Sequence, residues 1–265
     1  MDTWRLPDRL WAAMEPLLPP APPQPKGGRP PVPARRAMEA IWFVMRTGCQ
    51  WRALNATGLC SSATAERRFR EWKRAGVFDR PHRDSLDAAH AAGAIDWAFL
   101  AVDGSHVAAP LPRTERGGPS RVDRGKQGSK GAAIADRGGL ALAFAVAAGN
   151  RHDLPPAREA LARLRAPPGV VPGGVLAADG AFDDRGFRAD LAALGFAPDI
   201  APNPRGTGRP GRRGPVPGRW VVERAHAHLG CAFRGIRVRW CRLLRSFEAF
   251  LATAAAHRVI ARAGL

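Results

Sequence analysis

Apolar residues recur at helical spacing in the first third of this chain and in short continuous runs after residue 95. Residues 4–18 (WRLPDRLWAAMEPLL) predict a short amphipathic helix, followed by a proline-rich connector at 19–33 (PPAPPQPKGGRPPVP) that cannot form regular helix. A second helix is expected over 34–47, with Ile41, Trp42, Val44 and Met45 as its core face and Gly48 as its stop. A third starts at the Ser61–Ser62 cap and continues to Gly76, and another covers about 79–93.

Beyond residue 95 the runs shorten and turn signals punctuate them. AFLAVDG (98–104) stops at Asp–Gly, and VLAADG (175–180) does the same. KGAAIAD (130–136) and LALAFAVAAG (140–149) are joined by DRGG, a hairpin signal. A helix capped by Asp153, with Pro155 and Pro156 in its first turn, ends near Arg165. DDRGFRADLAALG reads as a helix closed by Gly195, and FAPDIA as a last strand. A Gly/Pro/Arg loop (202–218) precedes a helix containing Glu223, and 245–263 form a final alanine-rich helix. Three strands with a hairpin, then alternating helices and strands, predict an α/β fold with a mixed sheet. That is the element order of the ribonuclease H-like fold. It divides the chain into a small all-α, helix-turn-helix-like region at 1–95 and a catalytic domain with flanking helices at 96–265.

Charge narrows the class of partner. With 41 basic residues against 23 acidic and a net charge of +18, the chain calls for a polyanion, and nucleic acid is the commonest. Arg67, Arg68, Arg70, Lys73 and Arg74 lie on the second helix of the helix-turn-helix-like pair, as expected of a DNA-contacting segment. A helical bundle with a solvated basic face is the alternative. Lysine occurs only four times, which reflects a GC-rich genome before any selection for guanidinium. Tyrosine is absent, so a tyrosine recombinase or type I topoisomerase nucleophile is excluded. The four cysteines form no CxxC pair, and with no signal peptide or long apolar run a reduced, cytoplasmic, nucleoid-associated protein is expected, with no membrane partner. His226, His228 and Cys231 could bind zinc, but no fourth ligand is evident.

Carboxylates carry the candidate chemistry. Asp103 and Asp179 each follow an apolar strand, at the sheet edge where open α/β sheets bind ligands. Two such groups close together repel unless a cation pairs them, and magnesium suits oxygen donors. Each taken alone is equally well a turn-starting Asp–Gly. Glu223 is the only acidic residue between Asp199 and Glu248, an interval holding eleven arginines. Arg219 lies four residues before it on one helix face, while Val221 and Val222 turn toward the sheet. That pair is either a surface ion pair or a third ligand beside a phosphate-orienting arginine.

These residues fall in stretches that resemble the DDE transposases of bacterial insertion sequences, in the insertion-sequence-five group. The resemblance runs from LPDRLWAAMEPLLPP and GGRPPVPARRAMEAIWFVMRTGCQWRAL, through RRFREWKRAGVFDR, IDWAFLAVDGSHV, VDRGKQGSK, AAGNRHD and ADGAFDD, to GRWVVER. It implies a DNA transposase that cuts and joins DNA through Asp103, Asp179 and Glu223. These would bind two Mg²⁺ ions, with Mn²⁺ as substitute, and Arg219 and Lys130 would contact DNA. The resemblance also implies binding of double-stranded transposon ends and target DNA, by a homodimer or larger assembly. Where the wider signature has a tyrosine and a basic residue around the glutamate, this chain has Val216 and Gly230; Gly131–Ala132 and Ala181–Phe182 also depart from it. A DNA-binding protein descended from such an enzyme, or another ribonuclease H-like nuclease, are the alternatives.

Overall fold

A computed structural model describes residues 4–21, 30–120, 123–166, 173–203 and 217–265. Most of the proline-rich connector, and most of the 202–218 loop including Val216, lie outside them. The chain divides into two compact units, one comprising Met1–Ala89, Gly230–Val238 and Arg245–Leu265, the other His90–Leu229 and Arg239–Leu244. In space, then, the C-terminal helix groups with the N-terminal helices, although the sequence order sets it after the α/β segment.

The first unit is helical: α1 (Asp8–Met14), α2 (Ala34–Thr47), α3 (Ser62–Arg74), α4 (Arg80–Ala91), α8 (Arg234–Arg237) and α9 (Leu244–Ala263) supply most of it. Gly48 ends α2 with a left-handed φ of 68°, and its amide bonds Val44 O, the helix stop expected of a C′ glycine. Ser61 caps α3 by accepting from the Thr64 amide. Trp42, Phe233 and His257 meet edge to face in the core, with ring centroids 5.3–6.0 Å apart. The Arg46 guanidinium lies 4.9 Å from the Phe233 ring centre. Burial pushes His257 down to about 4, and the charges of Arg46 and Arg258 act in the same direction.

The second unit is a mixed sheet whose strands β1 (Phe99–Ala108), β3 (Gln127–Asp136), β4 (Ala141–Ala148), β5 (Gly174–Ala178) and β6 (Phe196–Ile200) lie in the order β4–β3–β1–β5–β6. β1, β3 and β4 are antiparallel, and β5 and β6 run parallel to β1. This is the ribonuclease H-like arrangement. A two-residue strand, β2 (Gly118–Pro119), pairs with the start of β3. The DRGG hairpin forms where expected: the Asp136 carboxylate, buried, accepts from the Leu140 amide at 2.8 Å and the Asp96 amide at 3.2 Å. Helices α5 (Leu154–Arg163), α6 (Arg185–Ala193) and α7 (Trp220–Ala232) complete the α/β alternation.

β1 departs from the sequence reading. It does not stop at Asp103–Gly104 but continues to Ala108, because Gly104–Ala108 pair with Gly128–Ala132 of β3. The backbone hydrogen bonds of that long-range pairing hold a Gly-Ser-His run extended against its local preference. Gly104 is needed for space instead of a turn, since a Cβ there would lie 2.5 Å from Asp153 Oδ1. Asp153 precedes α5 but makes no side-chain cap; its carboxylate pairs with Lys130 at 3.1 Å.

Because folded His257 binds its proton more weakly than an unfolded histidine near 6.5, the unfolded chain takes up more protons between those values. Stability should therefore fall as pH drops from about 6.5 to about 4, by at most ~3 kcal/mol from this group. Urea unfolding of wild type and His257→Gln across that range checks it: the difference between the two should vary with pH in this window and be flat above it.

Candidate active site

Helix α7 brings the glutamate to the sheet. Its valines, Val221 and Val222, are buried with Ala225 in one cluster with Phe99 and Ala101 of β1, Ala133 and Ala135 of β3, and Ala177 of β5. Small side chains on the sheet let the helix backbone come close. The turn entering the helix is equally tight: Gly218, at φ 79°, packs where a Cβ would lie 2.7 Å from the Phe99 ring. Another residue there would be both strained and obstructed.

The β1–β5 register aligns Phe99 with Val175, Leu100 with Leu176 and Ala101 with Ala177. Side chains alternate along a strand, so Asp103 shares the face of Phe99 and Ala101, the face that α7 covers. Two residues beyond the last aligned pair come Asp103 on one strand and Asp179 just after the other. Neighbouring strands lie about 4.8 Å apart, which sets the two aspartates side by side. Asp179 follows β5 directly and caps a short turn, one carboxylate oxygen accepting from the Ala181 amide at 2.9 Å. Asp179 thus starts a turn, as the Asp–Gly reading expects. Next to it Asp183, buried, pairs with Arg188 at 2.8 Å and accepts from the Asn203 amide, fastening the turn to the end of β6.

Arg219 lies among the carboxylates. Its Nη1 is 3.3 Å from Asp103 Oδ2 and its Nη2 is 2.7 Å from Glu223 Oε1, so one guanidinium bridges β1 and α7. Its side chain is 22% exposed. Glu223 is 52% exposed and Asp103 18%. Burial pushes Asp103 up to about 6; Arg219 and the Gly104 amide oppose this, while the charges of Asp179 and Glu223 add to it. Asp103 therefore feels the charge of both other carboxylates. As arranged, however, no three His, Cys, Asp or Glu side chains among the described residues stand close enough to hold one ion.

His226, one turn beyond Glu223, is only a zinc candidate in the sequence; the structure gives it a different place. Its Nε2 lies 3.3 Å from the Asp103 carbonyl oxygen, which pins α7 to β1 at the carboxylate. Burial lowers its proton affinity, so the neutral ring is favoured, and as a donor it would satisfy that carbonyl. The three-residue offset from Glu223 is the signal that could have found it, since it puts both on one helix face.

Lys130 falls elsewhere. It pairs in register with His106 while Asp103 pairs with Ala133, so it projects from the opposite sheet face and is held there by Asp153. Of the basic residues on α3, Arg67, Arg70 and Arg74 are exposed. Arg68 is not: its guanidinium lies over the Trp72 ring and bonds Glu71 at 3.3 Å. Lys73 donates to Ser246 Oγ at 2.7 Å.

Comparison with known proteins gives matches over most of the chain. The model for the transposase DDE domain matches residues 95–258, which include Asp103, Asp179 and Glu223, and the IS4/5-family transposase model DUF4096 matches residues 6–82. A 16.2 kDa protein of insertion element IS402 from Burkholderia cepacia is 46% identical over 105 residues, covering 38% of this chain and 71% of that protein. Among solved structures, the Mos1 strand transfer complex overlaps at a TM-score of 0.33 and 13% identity, over 91% of this chain and 79% of that one. The mariner Mos1 paired-end complex with Mg overlaps at 0.32 and 13%, over 91% and 80%. The Mos1 paired-end complex with the left transposon end gives 0.25 and 14%, over 68% and 62%. The structural overlaps are slight and the assignment rests on the sequence matches: the chain belongs to the DDE-domain transposases of the IS4/IS5 insertion-sequence group.

Proposed function

We propose that this transposase cuts and joins DNA at a site formed by Asp103, Asp179 and Glu223. The observation that supports this reading is the parallel register of β1 and β5, which leads toward Asp103 and Asp179 at the same sheet edge, with Glu223 tied to Asp103 through Arg219. The donor set fits a hard divalent cation: two aspartates at the sheet edge and a glutamate on the helix above, with the partly buried Asp103 already drawing a guanidinium to it. Two ions of Mg²⁺ or Mn²⁺ there would supply Lewis-acid charge to the entering and leaving oxygens of an in-line displacement at phosphorus. Asp103 and Asp179, fixed by strand and turn, set the position of the scissile phosphate. Glu223, on the exposed side of α7, closes the site from above, and His226 holds that helix in place. Water would attack phosphorus and release a 3′-hydroxyl, which then attacks a second phosphodiester and displaces its 3′-oxygen, so no covalent protein–DNA bond is required, consistent with a chain that lacks tyrosine.

End recognition falls to the helical unit. Arg67, Arg70 and Arg74 present exposed guanidinium groups along α3 and would contact phosphates. Pairing two transposon ends calls for at least a dimer on DNA.

Asp103→Asn, Asp179→Asn and Glu223→Gln should each abolish Mg²⁺-dependent nicking of a duplex carrying the element's terminal repeats, while the duplex is still bound. A variant that still nicks removes its residue from the site. Duplex binding that ignores Mg²⁺, with no nicking by wild type, would instead indicate a binding protein. In the full chain, Arg67→Ala/Arg70→Ala/Arg74→Ala should weaken duplex binding and lower the slope of log affinity against log salt by about one unit for each phosphate no longer neutralised. An unchanged slope rejects α3 as a DNA-binding element.

Folded Asp103 holds its proton more tightly than an unfolded aspartate near 3.8, so its contribution to stability is lost as pH rises through about 6. Without metal, Asp103→Asn should then be more stable than wild type at pH 7, by up to ~3 kcal/mol, and equal to it below pH 4. Equal stability at pH 7 by chemical denaturation would show that Arg219 already offsets the burial in full.

A further inference from the structure

Arg219 reaches the very oxygens that a divalent ion at this site would need. Its two terminal nitrogens contact Asp103 Oδ2 and Glu223 Oε1. A magnesium-sized ion binds carboxylate oxygens at about 2.0–2.1 Å, well inside the 2.7–3.3 Å of the guanidinium contacts. One oxygen lone pair cannot serve both, and a guanidinium left in place would set a positive charge against a doubly positive one at close range. The same bridge accounts for a set of carboxylates of the right kind that does not converge on a single point. Arg219 also sits at the entry to α7, beside exposed Trp220 and half-exposed Glu223.

We propose that Arg219 is a resident counter-cation that competes with the divalent ion for Asp103 and Glu223, and that loading of the ion releases its guanidinium to solvent. The proposal rests on the metal-site reading above. It makes Arg219 a positioning residue with two settings. Without the ion it neutralises the carboxylates and holds α7 against β1. With the ion bound it is an unpaired arginine beside the scissile position, which a DNA phosphate then engages. Metal and phosphate thus draw on opposite halves of one ion pair, and each favours binding of the other.

The test is Mn²⁺ titration of the full chain without DNA, together with phenylglyoxal labelling of Arg219 read by mass spectrometry. Arg219→Gln should bind Mn²⁺ about ten-fold more tightly than wild type, and Arg219→Lys, which keeps the charge but not the two-pronged bridge, should fall between. In the wild-type chain, Arg219 labelling should be slow without Mn²⁺ and several-fold faster with it. It should also be fast without Mn²⁺ in Asp103→Asn/Glu223→Gln. Equal or weaker Mn²⁺ binding by both arginine variants, with binding still abolished in Asp103→Asn/Glu223→Gln, overturns the competition and leaves the metal site standing. Labelling that Mn²⁺ does not change, with Mn²⁺ bound, overturns it too. No Mn²⁺ binding by wild type or by either variant removes the metal site itself and the competition with it.

Discussion

A carboxylate on the apolar face of an alanine-rich sheet, under a helix, is costly unless a cation answers it. Asp103 is in that position, with α7 packed over its strand through Val221 and Val222. Arg219 supplies the answering charge and in doing so ties β1 to the start of α7. Much of the local design follows from that pairing. Gly218 must be small to let the helix enter over Phe99, and His226 adds a second tie to the Asp103 carbonyl. Sheet alanines in place of larger side chains bring the helix low enough for Arg219 to reach down.

The same constraint links the fold to the chemistry. Parallel pairing of β1 with β5 is what sets Asp179 beside Asp103, and a helix crossing that face is what delivers Glu223. Each element is held by features that have no part in catalysis: the Asp136-centred hairpin, the Asp183–Arg188 pair at the end of β5, and the fully buried Arg239, which donates to Ser129 Oγ at 2.8 Å and to the carbonyls of Cys241 and Arg242. The carboxylates keep their arrangement because these uncharged or self-contained contacts fix the backbone around them.

Local signals in the sequence are enough wherever a few neighbouring residues decide the structure. The Gly48 stop, the Ser61 cap and the DRGG turn all act within a turn or two of chain, and all form as read. Long-range partners are not legible in the same way. Gly104–Ala108 looks like the end of a strand until β3 pairs with it. Asp153 looks like a helix cap until Lys130, on a strand more than twenty residues earlier, takes its carboxylate. Arg68 is the exception, a DNA contact in the sequence reading that local partners overturn: Glu71 and Trp72, three and four residues on, draw it inward. Nor does the sequence tell that Lys130 lies across the sheet from Asp103, because the face of a strand residue depends on register, which pairing alone determines. The candidate carboxylates stand out for the opposite reason: an acidic residue after an apolar run, or alone among eleven arginines, differs from its surroundings without knowledge of its partners.

The most direct test of the central claim, that Asp103, Asp179 and Glu223 form one metal-binding site now closed by Arg219, is a crystal structure of the full chain soaked in Mn²⁺ and phased for its anomalous signal. The account predicts an anomalous peak bounded by oxygens of all three carboxylates, with the Arg219 guanidinium turned away from Asp103. A chain that binds Mn²⁺ elsewhere, or that keeps the Arg219 bridge intact with the ion bound, would contradict it.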